Sequence, residues 1–165
     1  MAKSRFQDTV LKIQIDGAAR GNPGPAGVGV VLMDGSGRRL KEVAAYLGEA
    51  TNNVAESCAL LVGLQEALKL GRRRVSVATD SQLLARQVSG EYRVKNPQLQ
   101  WLHALIQELL KGFERFEIQH VPREQNRQAD RLAARAVNDA LKRLAKGSRK
   151  KSPAVRPDIR QPTFW

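Results

Sequence analysis

Leu11-Lys12-Ile13-Gln14-Ile15-Asp16, followed at once by Gly17-Ala18-Ala19-Arg20-Gly21-Asn22-Pro23-Gly24-Pro25-Ala26-Gly27, is the stretch on which the reading of the chain turns. Leu11, Ile13 and Ile15 alternate with Lys12 and Gln14, the period of a half-buried strand. The run closes on Asp16, and residues 17–27, rich in Gly, Pro and Ala, read as a turn. An ionised carboxylate is costly to desolvate unless a cation or donor meets it. No Lys or Arg directly flanks Asp16, although the chain as a whole is strongly basic.

Three further acids share this character. Asp80 closes a second strand-like run, Val75-Ser76-Val77-Ala78-Thr79. Glu56 follows Thr51-Asn52-Asn53 on the small, apolar side of a helical pattern, and Asp130 lies on an alanine-rich stripe near the start of another. Taken singly, each has a bland explanation. Asp80 is a possible helix cap, Asp16 a possible Asx-turn residue, and Glu56 and Asp130 possible rim residues reaching water. Taken together, four acids at comparable depth along one sheet edge suit hard divalent cations bound through oxygen.

The periodicity continues outward from that first strand. Residues 28–33 form a short apolar strand, Asp34-Gly35-Ser36-Gly37 a hairpin turn, and residues 38–47 a returning strand. The period then becomes helical over 53–70, where Gly71 ends it. A basic turn and then a strand over 72–79, a short helix over 81–88 that Asp80 or Ser81 is able to cap, and a loop over 89–97 follow. An amphipathic helix over 98–111, a strand over 113–121, a turn over 122–126 and a helix over 128–144 complete the order. Strands joined through helices become parallel neighbours by right-handed crossover. The expected fold class is α/β, a mixed five-stranded sheet of three antiparallel strands followed by two parallel ones, with helices on both faces. Ligands of such sheets gather at the carboxyl ends of the strands.

Length and composition bound the rest. With 165 residues, 42% hydrophobic and 27% charged, the chain is expected to hold one domain over 1–145, with a core of its own. Residues 146–165, mixing Lys, Arg, Ser and Pro before Phe164-Trp165, read as a flexible basic tail able to contact nucleic acid or a protein partner. The net charge of +12 favours a polyanionic partner, nucleic acid first. No apolar run has the length of a membrane span. The lone Cys58 and the absence of a signal-peptide core make cytoplasmic residence the expectation, as a monomer. His103 and His120 fit poorly as zinc ligands, and no Ser-His-Asp set is evident.

With these residues in view, the chain resembles type 1 ribonuclease H, in a short archaeal-like or bacterial form. The resemblance is carried by Asp16-Gly17-Ala18-Ala19-Arg20-Gly21-Asn22-Pro23-Gly24-Pro25, by Thr51-Asn52-Asn53-Val54-Ala55-Glu56 and by Thr79-Asp80-Ser81-Gln82. His120-Val121-Pro122-Arg123-Glu124-Gln125-Asn126, with Asp130 four residues on, completes it. The likeness covers roughly residues 10–140.

It implies a fold of the ribonuclease H type and hydrolysis of the RNA strand of RNA–DNA hybrids, with 5′-phosphate and 3′-hydroxyl products. It also implies two magnesium or manganese ions held by Asp16, Glu56, Asp80 and Asp130. Asn22, Asn52 and Gln82 match residues that touch the RNA or DNA backbone, and Thr51 matches part of a DNA-phosphate pocket. Gly17 and Ser81 join them as implied substrate contacts.

The sequence departs from the family pattern at two places. The histidine that many bacterial relatives carry in a longer loop before the last aspartate is absent, which leaves Arg123 or Glu124 as auxiliary candidates. The basic-handle helix is missing too, which moves the expected substrate grip to Arg93, Lys95 and the tail. Two other functions compete: a DNA-directed nuclease of the same fold, and a non-catalytic basic nucleic-acid-binding module.

Overall fold

A computed structural model describes residues 9–148. The element order is β1 (Leu11–Ala19), β2 (Gly24–Met33), β3 (Arg39–Ala50), α1 (Asn52–Lys69), β4 (Arg74–Thr79), α2 (Gln82–Val88), α3 (Pro97–Leu110), β5 (Arg115–His120) and α4 (Arg127–Ser148). A single 3-10 turn, Arg123–Gln125, leads into α4. The five strands form one sheet in the order β3-β2-β1-β4-β5. β1 pairs antiparallel with β2 and parallel with β4, β2 pairs antiparallel with β3, and β4 pairs parallel with β5. This is the mixed sheet the periodicity predicts. None of the helices among the described residues is long and apolar enough to cross a membrane.

Side-chain alternation divides the sheet between its helices. Ile13, Ile15, Val28 and Val30 point to one face and form a core with Ala59, Leu60 and Leu64 of α1. The intervening residues meet α4. A Cβ at Gly29 would collide with the Ala129 carbonyl oxygen and crowd the Ala133 nitrogen, so only glycine lets α4 lie this close to β2. The buried side of α4 is correspondingly small and apolar: Ala129, Leu132, Ala133, Ala136 and Val137.

Capping follows the sequence closely. Thr51 Oγ1 accepts from the Val54 amide at 3.3 Å and starts α1, and Gly71, at φ +69°, follows its end. Ser81, not Asp80, caps α2, its Oγ accepting from the Leu84 amide at 3.2 Å. Asn96 caps α3, with Pro97 in its first turn.

Two boundaries differ from the sequence reading. Residues 17–27 are not one turn. Gly17, Ala18 and Ala19 continue β1 and pair with Val28, Gly27 and Ala26, leaving only residues 20–23 to reverse the chain. Gly17 and Gly27 serve tight helix packing on the sheet, whereas Gly21, at φ +95°, and Gly24, closed against the Arg20 carbonyl, serve the turn. At the other end, α4 runs to Ser148, so the basic segment read at 146–165 begins inside a helix. Residues 149–165, including Phe164 and Trp165, lie outside the described residues, as do residues 1–8 of the lead-in.

Candidate active site

The parallel pairing of β1 with β4 ends at Gln14 against Ala78. Asp16 stands two residues further along β1, and Asp80 directly follows β4. Both acids therefore reach the carboxyl end of the parallel pair, where the two strands have ceased to bond. Gly17 brings the third acid in. A Cβ on Gly17 would overlap the Glu56 nitrogen and the Ala55 carbonyl carbon, so the start of α1 rests directly on the β1 backbone.

The result is a cluster in which Asp16, Glu56 and Asp80 each offer a carboxylate oxygen, all within 4.8 Å of one another. Asp16 and Glu56 are buried, and Asp80 is half-buried. Asp130, the fourth expected ligand, is in the fourth position of α4 and lines the same cleft. It lies outside the tight group of three, and Arg123 donates from Nη2 to its Oδ1 at 2.9 Å. Asn126, wholly buried just before α4, donates from Nδ2 to the Ile15 carbonyl at 2.8 Å. That bond ties the start of α4 to the residue preceding Asp16.

The electrostatics follow from this crowding. Burial first, then the charges of Asp80 and Asp130, push the Asp16 carboxyl up to about 8, although Arg123 pulls the other way. Burial, with Asp16 and Asp80 nearby, pushes Glu56 up to about 9, opposed by a hydrogen bond from the Gly17 backbone. Glu56 Oε2 is buried and has no hydrogen-bond partner. Acids in this state need either protons or cations. The all-oxygen donor set and the open acceptor on Glu56 fit a hard divalent ion.

The cleft, about 340 Å³, is lined by Asp16, Gly17, Asn52, Glu56, Asp80 and Ser81, with Ala18, Ala19, Arg123 and Asp130. Of the expected substrate contacts, Gly17, Asn52 and Ser81 thus border the carboxylates. Asn22 is tied to the same rim, its Oδ1 accepting from the Asn52 amide at 3.1 Å. Thr51 is adjacent as the α1 cap. Gln82 is exposed at the start of α2, and Arg93 and Lys95 are exposed on the loop between α2 and α3; none of these three lines the cleft. Of the two auxiliary candidates, Arg123 enters the cleft, whereas Glu124 lines a neighbouring groove with Arg127 and Arg131. His103 and His120 stay outside. Asn126 was not among the site residues expected from sequence; its only signal is its spacing ahead of Asp130.

A sheet of this order with acids at the end of its parallel pair defines a ribonuclease H-like domain. A family profile described as reverse transcriptase-like matches residues 14–136. Ribonuclease HI of Halobacterium salinarum is 44% identical over 125 residues, covering 76% of this chain and 63% of the relative. Ribonuclease H of Coxiella burnetii is 32% identical, covering 88% of this chain and 100% of the relative. Among solved structures, LC11-RNase H1 in complex with an RNA/DNA hybrid matches with a TM-score of 0.77 at 43% identity, covering 79% of this chain and 99% of that one. The chain belongs to the type 1 ribonuclease H family. It spans a little under two thirds of the halobacterial relative's length.

Proposed function

We propose that the protein is a metal-dependent endoribonuclease that hydrolyses the RNA strand of RNA–DNA hybrids, leaving 5′-phosphate and 3′-hydroxyl ends. The observation that carries this reading is the convergence of Asp16, Glu56 and Asp80 within 4.8 Å in an open cleft. The hybrid bound by a 43%-identical relative supports the substrate class.

Asp16, Glu56 and Asp80 would hold the metal, with Asp130 completing the set from α4. Two magnesium or manganese ions there would supply Lewis acidity at the attacking and leaving oxygens. The residues of the chain do the positioning. Gly17 and Asn126 fix the two helix starts against β1, so the carboxylates are held before substrate arrives. Asn22 and Asn52, joined through the Asn52 amide, present polar groups at the rim for the nucleic-acid backbone. Thr51 has the caps-and-phosphate role that the family pattern implies. Gln82, Arg93 and Lys95 extend the contact surface beyond the cleft. Arg123 keeps Asp130 oriented, and its guanidinium, lining the cleft, would set a positive charge against a bound phosphate.

A labelled RNA–DNA hybrid tests the reading directly, with and without magnesium, for wild type and Asp80→Asn. Cutting of the RNA strand alone, dependent on metal and lost in the variant, is expected. Cutting of the DNA strand would instead favour a DNA-directed nuclease, and binding without cutting a non-catalytic module.

A further inference from the structure

The outward side of α4 carries a row of cations that the catalytic reading does not use. Arg127, Arg131, Arg135, Lys142 and Lys146 are all exposed. At 3.6 residues per turn they fall within about 100° of arc and run about 28 Å along the helix. None of the five has an ion-pair partner among the described residues. Elsewhere in the domain Lys41, Lys69, Arg74, Arg86, Lys111 and Arg115 are each paired with a glutamate. Like charges four residues apart on a helix repel. Arg127, Arg131 and Arg135 therefore work against the isolated fold, and an anion laid along them would relieve that.

The row begins at the catalytic cleft. Arg123 and Asp130 line both the cleft and the groove that contains Arg127 and Arg131. Farther along, Tyr46 of β3, 38% exposed, lines a groove of about 370 Å³ with Arg135 and Arg143; Asp139 lies in the same groove.

We propose that this ridge is a second nucleic-acid contact, which takes the phosphate backbone of a single strand running out of the cleft and offers it the Tyr46 ring for one base. The proposal rests on the nuclease reading above. A single strand suits the surface better than a duplex, because the cations form one line on a convex helix. Arg127, Arg131 and Arg135, and again Lys142 and Lys146, are four residues apart, about 6 Å along the axis, close to the separation of neighbouring phosphates in an extended strand; the seven residues from Arg135 to Lys142 span about 10 Å. Arginine and lysine on phosphates position a strand without reading its sequence. A base stacked on an aromatic ring adds to the grip with little base preference.

The test uses the full chain and the exposed triple substitution Arg131→Gln/Arg135→Gln/Lys142→Gln. Binding of a labelled oligothymidylate is followed by anisotropy, without metal, across a salt series. Three lost phosphate contacts should flatten the slope of log K against log salt by about 2, at roughly 0.7 per contact for single strands. Arg131→Lys/Arg135→Lys should keep the wild-type slope, and Tyr46→Ala should weaken binding without changing it. In cleavage, the triple variant should raise KM only on a hybrid with a single-stranded extension, with blunt-hybrid turnover unchanged. An unchanged salt slope, or the same rise of KM on both substrates, overturns the ridge. The binding arm needs no catalysis. A blunt hybrid left whole by wild type therefore sinks the nuclease reading alone.

Discussion

Gly17 and Glu56 are in backbone contact: the α carbon of one lies where any side chain would strike the main-chain nitrogen of the other. This seats the first turns of α1 on β1, and it sets the distance between the Asp16 and Glu56 carboxylates. A Gly17→Ala chain must push α1 away. Overpacking of this kind costs about 1–3 kcal/mol. The expected outcome is a lower melting temperature together with at least a tenfold loss of hybrid cleavage. Activity and stability both within error of wild type would contradict this contact.

The cluster trades stability for function. Once Asp16 loses its proton, above about pH 8, it repels Asp80 in the metal-free protein, and this is one cause of the raised Asp16 carboxyl. Asp80→Asn keeps the shape and removes one charge. At pH 9, where Asp16 is ionised, the variant should raise the metal-free melting temperature by about 3 °C or more, as expected for roughly 1 kcal/mol in a domain of this size, while cutting turnover by a hundredfold or more. Calorimetry without metal, paired with a cleavage assay, checks both halves. A variant less stable than wild type would count against the repulsion.

The same shifts give a pH dependence with a definite sign. Asp16 and Glu56 hold their protons up to about 8 and 9 when folded, whereas the unfolded chain releases them in the ordinary carboxylate range. Over that interval the folded state binds more protons, so metal-free stability falls as pH rises. Magnesium competes with those protons and should bind more tightly as pH climbs from 6 to about 9. Melting curves across this range, with and without chelator, should converge at low pH and separate at high pH. Parallel curves would refute the coupling.

Arg123 meets Asp130 from an exposed position. If it orients that acid, Arg123→Ala should lower turnover about tenfold, or ~1.4 kcal/mol of barrier, with little change in KM. Arg123→Lys should restore part of the loss. Turnover equal to wild type in the alanine variant would remove Arg123 from the mechanism.

Asn126 ties the start of α4 to β1. Its amide satisfies the Ile15 carbonyl from a wholly buried position. Asn126→Ala leaves that carbonyl unpaired, at a cost of about 1–3 kcal/mol. Chemical denaturation should show this as a lower midpoint with an unchanged slope. An unshifted midpoint would mean that water or a neighbour replaces the bond.

The order of elements was legible in the sequence because each has a clean period or a clear stop: the alternation of Leu11 to Ile15, the helical spacing over 53–70, and Gly71 at the end of α1. The four acids were legible because charge on an apolar face is conspicuous. What misled was the composition of residues 17–27. Glycine and alanine there read as turn chemistry, yet most of them are paired strand residues, and Gly17 and Gly27 leave room for a helix. Local composition cannot report that a helix from elsewhere in the chain will press on a strand.

Sequence by itself determined which residues carry charge into the apolar faces and in what order strands and helices follow. Only the tertiary structure decided that Asp16 stands mid-strand just past the last β4 pair, that Arg123 reaches Asp130, and that the unpaired cations of α4 line up from the cleft outward. The reason is physical. Periodicity and capping act between residues a few positions apart, and the chain encodes them directly. The distances among carboxylates are set by backbone contacts between segments about forty to a hundred residues apart, and these exist only once the sheet and its helices have packed.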